Sequence, residues 1–335
     1  MTTLTAEKPV VRFLRFPVTW LVIGLVAVGA ASLFVGAGTV PALLCTVLAL
    51  FAYWAVMRFV AGRATPELAA RHAMRDTLIG VGIGAGFLVI SVGLIALLGG
   101  YRFTFDGAAG LAALPGLIAV AIGGAVTEEL LFRGLILQAT EKLGGSWIAL
   151  AVSAVMFGVV HGANPDATLW SSIAITVEAG GLMGAAFLWR RSLWLVIGIH
   201  ASWNGIEQAI GIPVSGHVDP GLAITTVDGP ALLTGGAFGL EASLVPVLVS
   251  IAISAVLLVA AHRRGAIVAR PSRRRCPRRH GSAHIRSRPA RVGQPASTAT
   301  SSGAAVVEEA RLSAMCRAAM SPNTEAGPIV DPGPG

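Results

Sequence analysis

Long runs of apolar residues follow one another along most of the chain, between positions 18 and 261. A membrane-spanning helix needs about 20 mostly apolar residues. Eight runs reach or approach that length, at residues 18–36, 40–60, 77–98, 111–138, 146–161, 168–188, 192–210 and 244–261. The pattern predicts an all-α, polytopic membrane helix bundle of about eight transmembrane helices. Pro115 in the fourth run allows a break or an interfacial helix before the true span.

The loops between these runs alternate in charge. Basic residues precede the first run, follow the last one and occupy every even-numbered connection: Lys8, Arg12, Arg15, Arg58, Arg63, Arg71, Arg75, Lys142, Arg190, Arg191, Arg263 and Arg264. Among the odd-numbered connections, Arg102 is the only Lys or Arg. Because cytoplasmic loops are enriched in Lys and Arg, we expect a plasma-membrane protein with both termini in the cytoplasm.

The composition supports a membrane protein and argues against a nucleic-acid-binding one. Of the 335 residues 54% are hydrophobic and 13% are charged, against roughly 25% charged residues in soluble domains. The net charge of +8 comes from a tail with eleven arginines between Arg263 and Arg291. Without them the chain has more acidic than basic residues. The tail either meets anionic lipid headgroups or is solvated with no partner.

Three regions follow from these patterns. Residues 1–17 form a cytoplasmic N-terminus and residues 18–262 a transmembrane domain. The tail, 263–335, is rich in Arg, Pro, Ser and Ala and has too few large apolar residues to fold, so we expect disorder. The three cysteines, Cys45, Cys276 and Cys316, are too few and too scattered for a disulfide framework or a cysteine metal site.

Ionisable residues inside apolar helices cost about 2.5 to 3.5 kcal/mol at the bilayer centre, so each one is a functional candidate. The fourth run holds Glu128, Glu129 and Arg133. Glu129 and Arg133 are four residues apart and can form an ion pair along one helix face. Glu128 points about 100° away from Glu129 and must look toward another helix. An unpaired carboxylate in that position is poised to take a proton.

Two further runs supply imidazoles and an amide. His161 ends the fifth run, and the seventh run carries His200 and Asn204 on one helix face. Counted along ideal helices from the cytoplasmic ends, Glu128 and His161 lie at similar depth, whereas His200 lies shallower and needs a tilted or bent helix. The convergence of one unpaired acid, two imidazoles and one amide on three helices predicts a catalytic site.

Other polar residues in these runs have structural interpretations. Phe157 is expected to serve packing. Glu178, in the sixth run, either orients a histidine or forms a hydrogen bond within the bundle, and the structural role is favoured. Glu178 precedes Gly180 and Gly184, whose spacing suits close helix packing. Glu207 is placed at the cavity mouth, on the same helix face as His200.

Three motifs occur in order over residues 110–205: Glu-Glu-x-x-x-Arg, Phe-x-x-x-His and His-x-x-x-Asn. Together they resemble the CPBP (Abi) family of intramembrane proteases, which includes type II CAAX prenyl endopeptidases and bacteriocin-processing enzymes. The resemblance implies that Glu128, His161, His200 and Asn204 occupy catalytic positions. By the same resemblance, Glu129 and Arg133 complete the first motif in a supporting role.

Two mechanisms remain open at this point. In the preferred one Glu128, helped by His161, activates water, His200 and Asn204 stabilise the oxyanion, and no cofactor is required. In the other, Glu128, His161 and His200 bind Zn²⁺, as in a metalloprotease. The substrate is a membrane-associated peptide or protein, either a prenylated C-terminal peptide or a propeptide. The alternative functions are a proton- or solute-coupled transporter and a non-catalytic immunity or scaffold protein.

Overall fold

The computed structural model of the chain describes residues 9–105 and 107–270, which form a helical bundle with one short β-ribbon. Its elements are, in chain order, α1 Pro9–Leu14, α2 Pro17–Ala31, α3 Thr39–Ala55, α4 Ala70–Leu97, β1 Tyr101–Phe105, α5 Gly107–Glu129, α6 Gln138–Gly144, α7 Ser146–His161, α8 Leu169–Ile175, α9 Leu182–Arg190, α10 Leu193–Ala209, β2 Ala223–Val227, α11 Ala231–Thr234 and α12 Leu244–Arg263. Most of the predicted tail, 271–335, lies outside the described residues.

Each of the eight predicted runs contains a helix, and the prediction of an α-helical membrane bundle is confirmed. Among the described residues, six helical stretches are long and apolar enough to cross a membrane: Pro17–Ala37, Thr39–Val60, Ala70–Leu97, Gly110–Gly144, Leu169–Arg190 and Leu244–Arg263. The other two predicted spans correspond to α7, with 16 residues, and α10, with 17. The count of eight is therefore not confirmed in full.

Three of these long helices contain π-helical turns, at Val56–Val60, Leu130–Leu137 and Thr176–Gly181. The second of them joins α5 to α6 and starts directly after Glu129. Pro115 lies inside α5 without ending it, so the allowed break before the span does not occur. A π-helix closes i→i+5 hydrogen bonds, and it advances less per residue than an α-helix. Glu128 therefore lies nearer the Lys142 end than ideal α-helical counting places it.

Glycines bring α4 and α10 into close contact. A Cβ atom added at Gly80 would lie 2.2 Å from the Leu195 carbonyl oxygen, and one added at Gly198 would lie 2.5 Å from the Thr77 carbonyl oxygen. Only a residue without a side chain fits at this separation. Further along the same interface the Phe87 and Trp203 rings pack with centroids 4.3 Å apart. This packing fixes α10, the helix that carries His200.

The same kind of contact joins α7 to the helix that runs from α8 to α9. A Cβ atom at Gly158 would lie 1.8 Å from Thr176 Oγ1, and one at Gly180 would lie 2.8 Å from Ala154 Cα. The expectation that Gly180 supports close helix packing is confirmed. The tight seam holds the C-terminal half of α7, and with it His161, against the bundle.

Charged residues gather at one end of the bundle, which we call the basic end. Here Arg191 pairs with Glu141, Arg190 pairs with Asp76, and Arg63 donates a hydrogen bond to Gln138. At the other end of α4, β1 pairs antiparallel with β2 in the register Tyr101↔Val227 to Phe105↔Ala223. This β-ribbon was not predicted from the sequence. Together with residues 162–168 and 211–239 it forms what we call the loop end.

Candidate active site

A cavity of about 950 Å³ opens among α5, α7 and α10. All four residues that the sequence predicts as catalytic line it: Glu128, His161, His200 and Asn204. They come from three helices that are distant in sequence, so the predicted convergence of these side chains on one space is present in the fold.

Glu128 stands between the two imidazoles. Its Oε2 atom lies 3.8 Å from His161 Nε2 and 3.8 Å from His200 Nε2. Both distances are too long for a direct hydrogen bond, and within the described part of the chain Oε2 has no hydrogen-bond partner. About 31% of the Glu128 side chain is exposed. The carboxylate therefore has no hydrogen-bond partner on Oε2, which is itself buried, while the side chain as a whole lines the cavity.

Glu129 has two partners. The predicted ion pair with Arg133 is confirmed, with 3.0 Å between Arg133 Nη1 and Glu129 Oε1. The same oxygen lies 2.8 Å from His200 Nδ1, a contact that sequence reasoning missed. All three side chains are buried. Since spacing within one helix cannot reveal a partner on another helix, only the fold could show that Glu129 also orients a histidine.

Arg133 connects this group to the neighbouring helix. Its Nη2 atom donates to the carbonyl oxygens of Ala179, at 2.9 Å, and Gly180, at 3.2 Å. These carbonyls belong to the π-helical turn Thr176–Gly181. A π-bulge frees backbone carbonyls from the regular helical pattern, and Arg133 makes use of two of them. The guanidinium is thereby held by three acceptors, the Glu129 carboxylate and the two backbone carbonyls.

The hydrogen bonds that Nδ1 donates fix the tautomers of both histidines. His161 Nδ1 lies 2.8 Å from the Phe157 carbonyl oxygen, which can only accept a hydrogen bond. His200 Nδ1 faces the Glu129 carboxylate, also an acceptor. Each ring therefore carries its proton on Nδ1 when neutral and presents the lone pair of Nε2 toward Glu128. When a ring is protonated, Nε2 donates instead.

Phe157 packs, as predicted, against Phe132 and against both histidines of the site. Its ring stacks on His161, with centroids 4.3 Å apart and an interplanar angle of 27°. It also meets His200 edge-on at 6.2 Å, and the Arg133 guanidinium lies 4.8 Å from its centroid. One aromatic ring thus restricts the rotation of both imidazoles.

Glu207 and Glu178 do not line the cavity. Glu207 was expected at the cavity mouth, and this is wrong: its carboxylate is fully buried and accepts from Trp203 Nε1, at 2.9 Å, and Leu240 N, at 3.2 Å. The reason is that the turn before α12 folds over this face of α10. Glu178 is also fully buried, and neither of its oxygens has a hydrogen-bond partner among the described residues.

A further acid, Glu241, lines the cavity and was missed. Its Oε2 atom accepts from the backbone N, at 2.6 Å, and the Oγ, at 2.8 Å, of Ser215. Burial raises the pKa of the Glu241 carboxyl. Ser215 itself has φ 48°, which is unusual for a residue other than glycine. Glu241 lies in the short 3₁₀ turn Leu240–Ala242 and Ser215 in a tight turn, where neither apolar periodicity nor spacing gives a signal.

The geometry does not favour a preformed metal site. Within residues 9–105 and 107–270, no group of three His, Cys, Asp or Glu side chains is arranged to hold a metal ion. The set proposed as zinc ligands, Glu128, His161 and His200, is included in that finding. The residues as arranged do not fit a catalytic zinc, and no step below passes through a metal.

Comparison with known families supports the resemblance drawn from the three motifs. The model of the family described as type II CAAX prenyl endopeptidase Rce1-like matches residues 110–206. The matched segment contains all three motifs and all four cavity-lining candidates. No curated protein and no solved structure matches the chain.

Proposed function

We propose that this chain is an intramembrane endopeptidase of the CPBP type that hydrolyses a peptide bond of a membrane-associated substrate, which the family match over residues 110–206 supports. Glu128, His161, His200 and Asn204 are its catalytic residues in this proposal. The observation that carries it is the position of Glu128, unpaired and facing the cavity, with two imidazole Nε2 atoms at 3.8 Å. An integral membrane protein with these groups in one cavity suits hydrolysis close to the bilayer.

Water activation falls to Glu128. A water molecule can bridge two polar groups that lie more than 3.5 Å apart. One water in the cavity can therefore form hydrogen bonds with the Glu128 carboxylate and one imidazole together. Glu128 takes a proton from this water as the oxygen attacks the carbonyl carbon of the scissile bond. His161, with its proton fixed on Nδ1 by the Phe157 carbonyl, turns a lone pair toward the same space and orients the water.

Oxyanion stabilisation falls to His200 and Asn204. In the protonated form of His200, Nε2 carries a hydrogen while Nδ1 remains hydrogen-bonded to the Glu129 carboxylate. That N–H and the Asn204 amide donate to the oxygen that becomes negative in the tetrahedral intermediate. The proton held by Glu128 then passes to the leaving nitrogen as the C–N bond breaks. Water is thus divided between the two products, and the enzyme returns to its starting state.

The decisive experiment compares cells that produce the unchanged chain with cells that produce Glu128→Gln. New peptide termini in the membrane proteome are identified by mass spectrometry. The proposal predicts termini that need the unchanged chain and that disappear with Glu128→Gln, since loss of a general base lowers a rate by about 10² to 10⁴-fold. Identical termini in both cell lines would reject a protease and leave a transporter or a non-catalytic partner.

A further inference from the structure

The cavity extends to the loop end of the bundle. Beyond the four candidate catalytic residues, its lining includes residues from the connection between α2 and α3, from the loop after α7 and from the segment after α10: Gly36, Gly38, Asn164, Ser215, His217 and Asp219. The last two of these segments contact each other directly. A Cβ atom at Gly216, for example, would lie 1.9 Å from the Pro165 carbonyl oxygen. None of the residues that form the ion pairs of the basic end lines the cavity.

The two ends of the bundle carry different charges. The basic end holds Arg63, Arg190 and Arg191, each paired with an acid or an amide. At the loop end Arg102 is the one Lys or Arg among the described residues, and it is accompanied by Asp166, Asp219 and Asp228, with Glu241 just after the segment 211–239. Because Lys and Arg mark the cytoplasmic side, the loop end faces away from the cytoplasm.

The charge of the cavity lining bears on which kind of substrate the site can accept. The described lining holds three acids, Glu128, Asp219 and Glu241, and three histidines, but neither Lys nor Arg. A free C-terminal carboxylate near the scissile bond would meet these acids, and among the described lining residues only the histidines can carry a positive charge to neutralise it. An internal peptide segment with neutral or basic residues would meet no such repulsion.

One wall of the cavity suits an apolar chain. The lining residues Ala113, Leu117, Val120, Gly124 and Glu128 recur every three or four positions and so share one face of α5. From Ala113 to Glu128 this face extends for about 22 Å at the helical rise. A substrate segment that follows this face keeps apolar residues in an apolar surrounding until it reaches the carboxylate.

From these observations we propose that the site takes its substrate from the non-cytoplasmic face: a membrane-anchored, internal peptide segment exposed outside the cytoplasm. A prenylated C-terminal peptide, which carries a free carboxylate, is not the substrate in this proposal. The inference concerns the substrate class and rests on the proposed protease function, whereas the direction in which the cavity opens can be measured without activity.

The first test labels single cysteines with a membrane-impermeant maleimide. The background is Cys45→Ala, Cys276→Ser, Cys316→Ser. Val218→Cys reports on the cavity mouth, where the side chain is 76% exposed, and Leu169→Cys, 80% exposed, is a second loop-end reporter. Met74→Cys, 74% exposed near the basic end, is the matched control. We expect the loop-end cysteines to label in intact cells and the Met74→Cys signal to be lost until the membrane is permeabilised. The reverse pattern would overturn the proposal.

The second test maps where the substrates are cut. Termini that depend on Glu128 are assigned to the cytoplasmic or the non-cytoplasmic flank of the spans in each cleaved protein. The proposal expects internal cleavage on the non-cytoplasmic flank. Cleavage three residues from a cytoplasmic C-terminus would overturn it. If no terminus depends on Glu128, the protease function itself fails, and the labelling result still decides which face the cavity opens to.

Discussion

Two groups of charged residues in this protein differ in whether every acid has a partner. At the basic end, Glu141 accepts from both terminal nitrogens of Arg191 and from Ser146 Oγ. Beside the cavity, Glu129 is paired on one oxygen with Arg133 and His200, whereas Glu128, which lines the cavity, has no hydrogen-bond partner on Oε2 in the described chain. We refer to these as the Glu141 group and the Glu128 group.

The difference separates structural from chemical roles. The Glu141 group ties three segments together, since Ser146 also accepts from the Val268 backbone N and donates from its own backbone to the Val268 oxygen. Its acid is fully used in holding the fold. In the Glu128 group one acid, Glu129, makes the contacts that stabilise the fold, and the adjacent acid, Glu128, faces the cavity. An unpaired carboxylate close to two oriented imidazoles is costly to keep, and catalysis gives a reason to keep it.

The largest structural effect is expected from Arg133→Met. This change leaves Glu129 buried without its cation and removes the bonds to Ala179 and Gly180. Breaking one side of a buried ion pair costs about 3 to 5 kcal/mol. We expect a matching loss in the free energy of unfolding, measured by denaturant unfolding of the purified protein in detergent. An unchanged stability would show that the Glu128 group holds nothing together and that the comparison is wrong.

Asn204→Ala should lower kcat, whereas Arg133→Met lowers the stability. Asn204 lines the cavity and has no role in the ion pairs. Removing one oxyanion donor lowers kcat by about 10² to 10³-fold. Steady-state kinetics on a substrate identified by its new terminus would give kcat and KM separately. A rise in KM with unchanged kcat would mean that Asn204 binds substrate and does not stabilise the oxyanion.

The smallest effect is expected from Arg191→Met in the Glu141 group. The Arg191 side chain is 33% exposed, so solvent screens the pair and about 1 kcal/mol of stability is at stake. Cleavage per folded molecule should not change. A loss of kcat comparable to that of Asn204→Ala would show that the basic end takes part in the reaction and would remove the contrast between the two groups.

Much of this architecture could be predicted from the sequence because lipid imposes simple rules. Apolar run length predicted where the helices lie, and four-residue spacing predicted the pairing of Glu129 with Arg133. The position of His200 was harder. Depth counted on ideal helices placed it too far from Glu128, and the π-helical turn Leu130–Leu137, of which hydropathy gives no sign, accounts for part of that difference.

Contacts between distant segments could not be predicted. The bond from His200 to Glu129, the burial of Glu207 under Leu240 and the clamp of Ser215 on Glu241 each join residues whose spacing carries no periodic signal. The same holds for the β-ribbon, whose strands are separated by more than 100 residues. Such contacts depend on the folded chain as a whole, and single-helix patterns contain no information about them.

The most direct test of the central claim measures cleavage and unfolding on the same purified samples of Glu128→Gln and Glu141→Gln. If the unpaired Glu128 carries out the chemistry and the paired Glu141 stabilises the fold, Glu128→Gln abolishes cleavage and leaves the unfolding midpoint unchanged. Glu141→Gln then lowers the midpoint and retains cleavage by the molecules that remain folded. If Glu128→Gln retains cleavage, or loses it only together with its fold, the account is contradicted.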